Sequence, residues 1–313
     1  MSDVSSKRIK AFVAGPVGFL LLLAAVFFAF DRLAGFGLGK VAESSQHRFA
    51  RVYRGEHEPS ILVLGHSRGV QLVSPDAVRE ASGLPVFNLS ANGMSTEIAE
   101  ALLLDYAENG GKPAGIVLEV SSICSNNRLI RDLKVFANRS PRLAAILKRD
   151  EPMLANATRL FHTFRYNGDL MPRILFHCFG DDQAFTNFTV AKPEFLAETP
   201  IAEADWQIQE GNAAAVARIV SWARERNIPV RLVVGPFWPA AEADAKVSER
   251  VIAALGEVTD EKVWDYSGSL ADHRFFADHV HLNADGAMEL HRVMLESGFF
   301  GLWQGRDGKG KTE

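Results

Sequence analysis

The stretch "ILVLGHSRG", residues 61–69, decides the fold of this 313-residue chain. It joins an apolar run to the pattern G-x-S-x-G, formed by Gly65, Ser67 and Gly69. An uninterrupted apolar run that ends at a glycine is typical of a buried strand in a parallel sheet. The pattern after it is typical of a nucleophilic serine on a sharp strand-to-helix turn. The alternative interpretation is a structural turn in which Ser67 only caps a helix.

Four further segments resemble buried strands, and helical patterns separate them. The strand-like segments are "LPVFNLS" (84–90), "AGIVLEVS" (114–121), "IPVRLVVGP" (228–236) and "KVWDYS" (262–267). Amphipathic patterns at 95–111, 210–227, 241–258 and 283–298 predict helices between or after them. This alternation predicts an α/β fold, a flavodoxin-like doubly wound parallel sheet of about five strands.

The N-terminal segment "AFVAGPVGFLLLLAAVFFAF", residues 11–30, contains no charged residue. A helix of this length crosses the ~30 Å hydrocarbon core of a bilayer. We therefore predict an uncleaved transmembrane anchor at 11–31. A cleaved signal peptide is the alternative, although its apolar core is usually shorter.

Charges beside this segment predict its orientation. Three basic residues lie at 7–10, whereas the acidic and basic residues at 31 and 32 cancel. The positive-inside rule then leaves residues 1–10 in the cytoplasm. The chain is then anchored in the inner (cytoplasmic) membrane by a single pass. The rest of the chain is predicted to lie in the periplasm or outside the cell.

The remaining chain divides into four predicted parts. Residues 32–59 form a polar connector, and residues 60–300 form the α/β domain. An aromatic and Arg-rich insertion at about 125–205 forms a cap, or else packs its aromatic side chains inward as loops and helices. The polar tail 301–313 is predicted to be disordered.

A second polar motif lies near the C-terminus, where Asp278 precedes His281 by three positions. This D-x-x-H follows the fifth strand, so it is expected at the same sheet edge as Ser67. Asp278 would then bond one ring nitrogen of His281 while the other faces the serine. The competing candidates are His279 for the base and Asp272, His273 and Asp285 for its partner.

Together these motifs resemble the blocks of the SGNH (GDSL-like) hydrolase family across most of residues 60–297. The sequence Gly65-His66-Ser67 is similar to the family's G-D-S block. "NLSANGMS" (88–95) resembles the second block, and "DHVHLNADGA" (278–287) resembles the last. An α/β-hydrolase would need several strands before its serine, and too few residues precede Ser67 to build them. The resemblance implies Ser67 as nucleophile, His281 as base and Asp278 as its orienting group.

The resemblance also implies that backbone N–H groups of Ser67 and Gly93 hold an oxyanion. Two positions depart from the family pattern. His66 replaces the usual Asp, and the third block, G-x-N-D, reads "LEVSSICSNN" (118–127). Asn126 is the candidate for the missing oxyanion donor, with Ser121 and Ser122 as alternatives.

The resemblance extends to envelope proteins of polysaccharide O-acetylation, and it implies a serine esterase or O-acetyltransferase. The expected substrate is an acylated glycan or a lipid-linked ester, and a membrane-bound acyl donor is the expected partner. A catalytically silent envelope scaffold is the alternative.

Charge and cysteine content limit other functions. The net charge of −4 gives no electrostatic case for nucleic-acid binding. Cys124 and Cys178 could form a disulfide or remain thiols, and their spacing fits no metal motif. We therefore expect no metal and no cofactor.

Overall fold

The computed structural model describes residues 2–55, 57–180, 182–183, 187–198 and 206–303, with side chains from residue 15 onward except at 244. Its centre is a parallel sheet in the order β2-β1-β3-β4-β5. The strands are β1 (Ser60–Leu64), β2 (Val86–Asn88), β3 (Pro113–Glu119), β4 (Val230–Val234) and β5 (Val263–Asp265). This order confirms the predicted flavodoxin-like α/β sheet, and all five strands lie inside or beside the predicted segments.

Helices cover both faces of the sheet and form the insertion. In chain order they are α1 (Ser2–Ser44), α2 (Arg48–Val52), α3 (Ser67–Val70), α4 (Pro75–Ser82), α5 (Thr96–Glu108), α6 (Ile130–Leu133), α7 (Pro141–Asp150), α8 (Pro152–Leu160), α9 (Leu170–Phe176), α10 (Pro193–Glu198), α11 (Glu210–Arg224), α12 (Pro239–Ala245), α13 (Val247–Gly256) and α14 (Ala284–Glu296). Short 3₁₀ turns, among them Val120–Cys124 and Thr163–Tyr166, join several of them.

The uninterrupted apolar sequence of β1 follows from its position between two cores. Leu62 and Leu64 pack into one buried cluster, on the side of α5 and α11. Ile61 and Val63 pack into the other, together with α14. Since successive side chains on a strand point to opposite faces, both faces of β1 must be apolar.

The first helix is longer than the predicted span 11–31 and includes part of the predicted connector 32–59. It continues to Ser44 because its last third packs on the insertion, at two glycines. A Cβ at Gly35 would lie 2.6 Å from Cβ of His162, and one at Gly39 would lie 2.9 Å from the Tyr166 hydroxyl. Such tertiary contact stabilises helix that its own sequence would leave marginal. Residues Gly15–Ser44 are long and apolar enough to cross a membrane, and few of them are buried in the protein.

The structure also adds detail to the predicted insertion and to the predicted tail. Within its described residues the insertion, predicted at about 125–205, is mainly helical, from α6 to α10. The ordered chain continues past 300, since Phe299–Leu302 form a 3₁₀ turn and Trp303 is fully buried. Residues 304–313 of the predicted tail lie outside the described part. Both cysteines are free thiols.

Candidate active site

Ser67 is the first residue of α3, immediately after β1. His66, and not Ser67, caps this helix. Its Nδ1 accepts the N–H of Arg68 at 3.3 Å. Crowding explains why a glycine occupies the first position of the motif. Gly65 has φ +153°, and a Cβ there would lie 2.8 Å from Cβ of Glu119. The turn therefore crosses the end of β3 at a distance that only glycine permits.

The loop after β5 fixes Asp278 and His281 relative to each other. It is closed by a bridge between Phe276 and Leu282. The carboxylate of Asp278 accepts the backbone N–H groups of Val280 and His281, both at 2.9 Å. Oδ2 of Asp278 lies 2.8 Å from Nδ1 of the His281 ring. The short D-x-x-H spacing thus lets one carboxylate hold both the loop backbone and the imidazole.

The other ring nitrogen of His281 faces the serine, with Nε2 at 2.7 Å from Oγ of Ser67. Burial opposes the charge of Asp278, but the hydrogen bond from His281 and the attraction to that ring hold its pKa below the ordinary value. An ionised Asp278 favours the tautomer with the proton on Nδ1. Nε2 is then free to accept the Ser67 proton, which is the geometry of a nucleophile with its base.

The competing candidates lie elsewhere. His279 is buried, and its ring packs on that of Phe195 with the centroids 4.9 Å apart. Asp272 pairs with Arg274 and His273 at the surface, while Asp285 lies in the first turn of α14. Within the described residues, none of these side chains bonds Ser67 or His281.

The predicted backbone donors belong to two neighbouring turns. Gly93 has φ +72° in an exposed turn closed by a bond from Met94 N–H to the Ala91 carbonyl, at 3.1 Å. Ala91 N–H in turn donates to the Gly65 carbonyl at 3.2 Å, so this turn is attached to the one that carries Ser67. Among described residues, neither the Ser67 nor the Gly93 N–H has a hydrogen-bond acceptor.

The third block does not supply a side-chain donor to Ser67 in this structure. Asn126 accepts the N–H of Arg128 at 3.1 Å and lines a separate cavity of ≈ 500 Å³. Ser121 donates to Oε1 of Glu119 at 2.7 Å, and Ser122 donates to the Glu119 carbonyl at 2.8 Å. Both hydroxyls are fully buried and point into the protein.

Sequence reasoning missed a buried charged cluster under residues 65–69, the turn that carries the candidate nucleophile Ser67 and is called the nucleophile turn below. Glu119, at the end of β3, is fully buried. Its carboxylate lies 3.2 Å from Nδ1 of His66 and 3.4 Å from Nε of Arg68. The signal was present, since an acidic residue ends an apolar strand and a basic residue lies inside the G-x-S-x-G motif. Buried charges of this kind are usually paired.

Arg68 connects this cluster to the loop that carries Asp278 and His281. It donates to the carbonyls of Val280, at 3.3 Å, and of Gly235, and its guanidinium lies 3.4 Å from the ring centre of Phe237. The first of these bonds joins the nucleophile turn to the residue directly before His281. The cluster therefore holds the two halves of the candidate triad together.

Two cavities near the serine share Gln71 as a lining residue. Ser67 and His281 line a small one of ≈ 10 Å³, about the room of a single water. Gln71 lines both this cavity and a larger polar one of ≈ 420 Å³. The larger cavity is also lined by Ser90, Arg48 and Asp182, so it extends from the nucleophile turn to the segment that follows α1.

Comparison with known proteins gives similarity of fold only. No protein-family model matches the chain, and no curated protein matches it. A solved structure titled as a "putative acylhydrolase" from Bacteroides fragilis is 10% identical, covers 79% of this chain and 89% of its own, and has a TM-score of 0.39. One titled as a "putative platelet activating factor" from Streptococcus pneumonia is 14% identical, covers 90% and 98%, and has a TM-score of 0.37. Similarity at this level does not assign an activity.

Proposed function

We propose that this chain is a membrane-anchored SGNH-type serine enzyme that cleaves acyl esters of an envelope glycan. The observation that carries the proposal is the chain of hydrogen bonds from Ser67 Oγ to His281 Nε2, at 2.7 Å, and from His281 Nδ1 to Asp278, at 2.8 Å. Three side chains from two distant segments meet here in the order that nucleophilic catalysis needs.

In the proposed first step, Oγ of Ser67 attacks the ester carbonyl and its proton passes to Nε2 of His281. The tetrahedral oxyanion accepts hydrogen bonds from the N–H groups of Ser67 and Gly93. When the ester C–O bond breaks, His281 returns the proton to the leaving alcohol, and the acyl group remains on Ser67. Asp278 stays ionised and stabilises the imidazolium. Each oxyanion donor contributes about 10²–10³ in rate.

In the second step, an oxygen nucleophile attacks the carbonyl of the acyl-Ser67 ester and gives its proton to His281. The bond between the acyl carbon and Oγ then breaks, and His281 returns the proton to Ser67 as the acylated product leaves. Water as acceptor makes the protein an esterase, and a glycan hydroxyl makes it an O-acyltransferase. The polar cavity beyond Gln71 supports a hydroxyl-rich ligand, because carboxylates, guanidinium groups and backbone groups line it together. We propose that the transferred acyl group is acetyl and that the glycan is a polysaccharide. When the acceptor is a sugar hydroxyl, Ser67 would receive the acetyl group from a membrane-bound acyl donor.

We propose that α1 remains attached as a single-pass anchor, with the N-terminus in the cytoplasm and the α/β domain in the periplasm or outside. Its continuity to Ser44 supports retention. So does Asp31, which accepts the N–H groups of His162 and Thr163 at 2.7 and 3.0 Å. Cleavage near the end of the apolar run would remove helix to which the insertion is bonded.

A catalytically silent scaffold is the second candidate function. Two observations favour it: the third block supplies no side-chain donor to Ser67, and the cavity at Ser67 and His281 is only ≈ 10 Å³. A scaffold would keep the sheet and the anchor while losing reactivity at Ser67.

A fluorophosphonate probe on the full-length protein in detergent distinguishes the two. The expected result is one adduct, mapped to Ser67 by mass spectrometry and lost in Ser67→Ala and His281→Ala. His279→Ala is the matched control, since it removes the neighbouring imidazole that does not face the serine, and it should still be labelled. Folded protein without an adduct, or equal labelling of the His281 variant, would refute the enzyme and favour the scaffold.

A further inference from the structure

We propose that residues 160–163 of the insertion are embedded in the bilayer that α1 crosses, in the leaflet on the side of the α/β domain. This inference rests on the proposed anchor. It adds a second membrane contact, made by the domain itself, so that α1 is not the domain's only attachment to the membrane.

The outer surface of α1 defines where lipid would lie. Its exposed large apolar side chains continue from Val17 to Phe36, a length of about 30 Å, which matches a hydrocarbon core. One turn later, the ammonium of Lys40 lies 5.7 Å from the ring centre of Phe36, and its side chain is 60% exposed. A basic residue directly above an apolar belt is typical of a membrane boundary.

Two charged residues interrupt this belt, and the insertion buries the first and bonds the second. Asp31 is only 2% exposed, and besides two backbone N–H groups it accepts the hydroxyl of Thr163 at 2.6 Å. Arg32 donates to the carbonyl of Leu160 at 3.1 Å, and its guanidinium lies 3.8 Å from the ring centre of Phe28. Charges at membrane depth need such partners, because water cannot satisfy them there.

The same contacts set the level of residues 160–163 along α1. The ring of Phe161 packs edge-on against Phe27, with the centroids 6.2 Å apart. His162 lies against Gly35. Both partners on α1 belong to the belt between Val17 and Phe36. The loop therefore lies beside the part of α1 that lipid would surround.

At this level the loop presents apolar side chains outward. Leu160 is 56% exposed and Phe161 is 37% exposed, next to the exposed rings of α1. A bilayer is the occupant that this surface fits, since it is continuous with the belt of α1. Any protein partner covering it would itself have to lie within the membrane.

The test uses the full-length protein in liposomes of phosphatidylcholine and phosphatidylglycerol, with brominated phosphatidylcholine as quencher. Cys124→Ala and Cys178→Ser remove the native thiols. Single cysteines labelled with an environment-sensitive fluorophore then replace Leu160, Leu21 on α1, or Met288 on α14. Met288 is the matched control, because it is 51% exposed and lies on a helix remote from the loop.

The expected result is a blue-shifted label at 160 that the brominated lipid quenches to roughly half or less, as for a segment beside the hydrocarbon core, while the label at 288 is unaffected. Quenching at 21 with none at 160 would overturn the inference and leave the anchor intact. No quenching at 21 would overturn both the anchor and the inference.

A second measurement avoids substitution in case a labelled variant fails to fold. The unmodified protein in the same liposomes, photolysed with a diazirine phosphatidylcholine, should carry lipid adducts on α1 and on the peptide that contains 160–163. Adducts on α1 with none on that peptide would overturn the inference.

Discussion

Ser90 leaves no room for a side chain at position 69, since a Cβ on Gly69 would lie 2.6 Å from Oγ and 3.1 Å from Cβ of Ser90. Gly69→Ala should therefore shift the nucleophile turn and lower the free energy of unfolding by about 1–3 kcal/mol. Ser90→Gly removes both atoms, so the double variant should recover most of the loss. Urea unfolding of the four proteins measures it. Equal destabilisation with and without Ser90→Gly would contradict the steric account.

Asp278→Asn should leave the loop folded but weaken the base. The amide can still accept a backbone N–H, yet it does not hold His281 in the tautomer that exposes an unprotonated Nε2. We expect probe labelling of Ser67 to slow by roughly 10³–10⁴. Asp285→Asn, on the first turn of α14, is the control and should label at the wild-type rate. A labelling rate unchanged in Asp278→Asn would show that Asp278 does not orient the base.

His66 should make the protein sensitive to acid. Burial outweighs the attraction of Glu119 and lowers the pKa of His66 from 6.5 to about 4. The unfolded chain binds this proton more readily, so the contribution is complete above pH 6.5 and is lost as the pH falls toward 4. The loss in the free energy of unfolding is up to about 3 kcal/mol.

His66→Gln should reduce this loss, because the glutamine has no proton to gain. Urea midpoints measured in detergent at about pH 7 and about pH 4.5 provide the comparison, and His273→Gln, at the surface, should retain the full wild-type loss. The same acid loss in His66→Gln as in wild type would contradict the assignment to His66.

Asp31→Ala should loosen the insertion from α1. It leaves the N–H groups of His162 and Thr163 and the Thr163 hydroxyl without their common acceptor. Faster amide hydrogen exchange is expected at 161–166, and the sheet should be unaffected. Lys40→Ala is the control, since it removes a solvent-accessible ion pair with Glu43 within the same helix. Exchange at 161–166 that does not change in Asp31→Ala would show that Asp31 does not hold the insertion.

The sheet was predictable because its strands are simple to recognise. The three central strands β1, β3 and β4 are mostly buried on both faces, so each reads as an apolar run ended by turn residues. The positions of Ser67, Asp278 and His281 at one sheet edge followed from the direction of parallel strands. Their pairing at hydrogen-bond distance depends on the turn at Gly65, which lies against the distant residue Glu119, and on the geometry of the loop that the bridge between Phe276 and Leu282 closes.

Features that depend on tertiary contact were not predictable. The continuation of α1 through the predicted connector requires the close approach at Gly35 and Gly39, which the sequence shows only as three glycines in "GFGLGK". The Glu119 cluster joins the end of β3 to His66 and Arg68 in the turn after β1, and through Arg68 to the loop before α14. The prediction of Asn126 as an oxyanion donor rests on its position in a family block, whereas its side chain caps the 3₁₀ turn Asn127–Leu129.

The contact of Gly35 and Gly39 with the insertion has a consequence for how substrate is reached. Because α1 packs on the insertion at both glycines, lateral diffusion of α1 as the proposed anchor would carry Ser67 through a layer of nearly constant height above the lipid. A long glycan or a lipid-linked ester in that layer would then be searched in two dimensions. Esters outside the layer would have to diffuse to it.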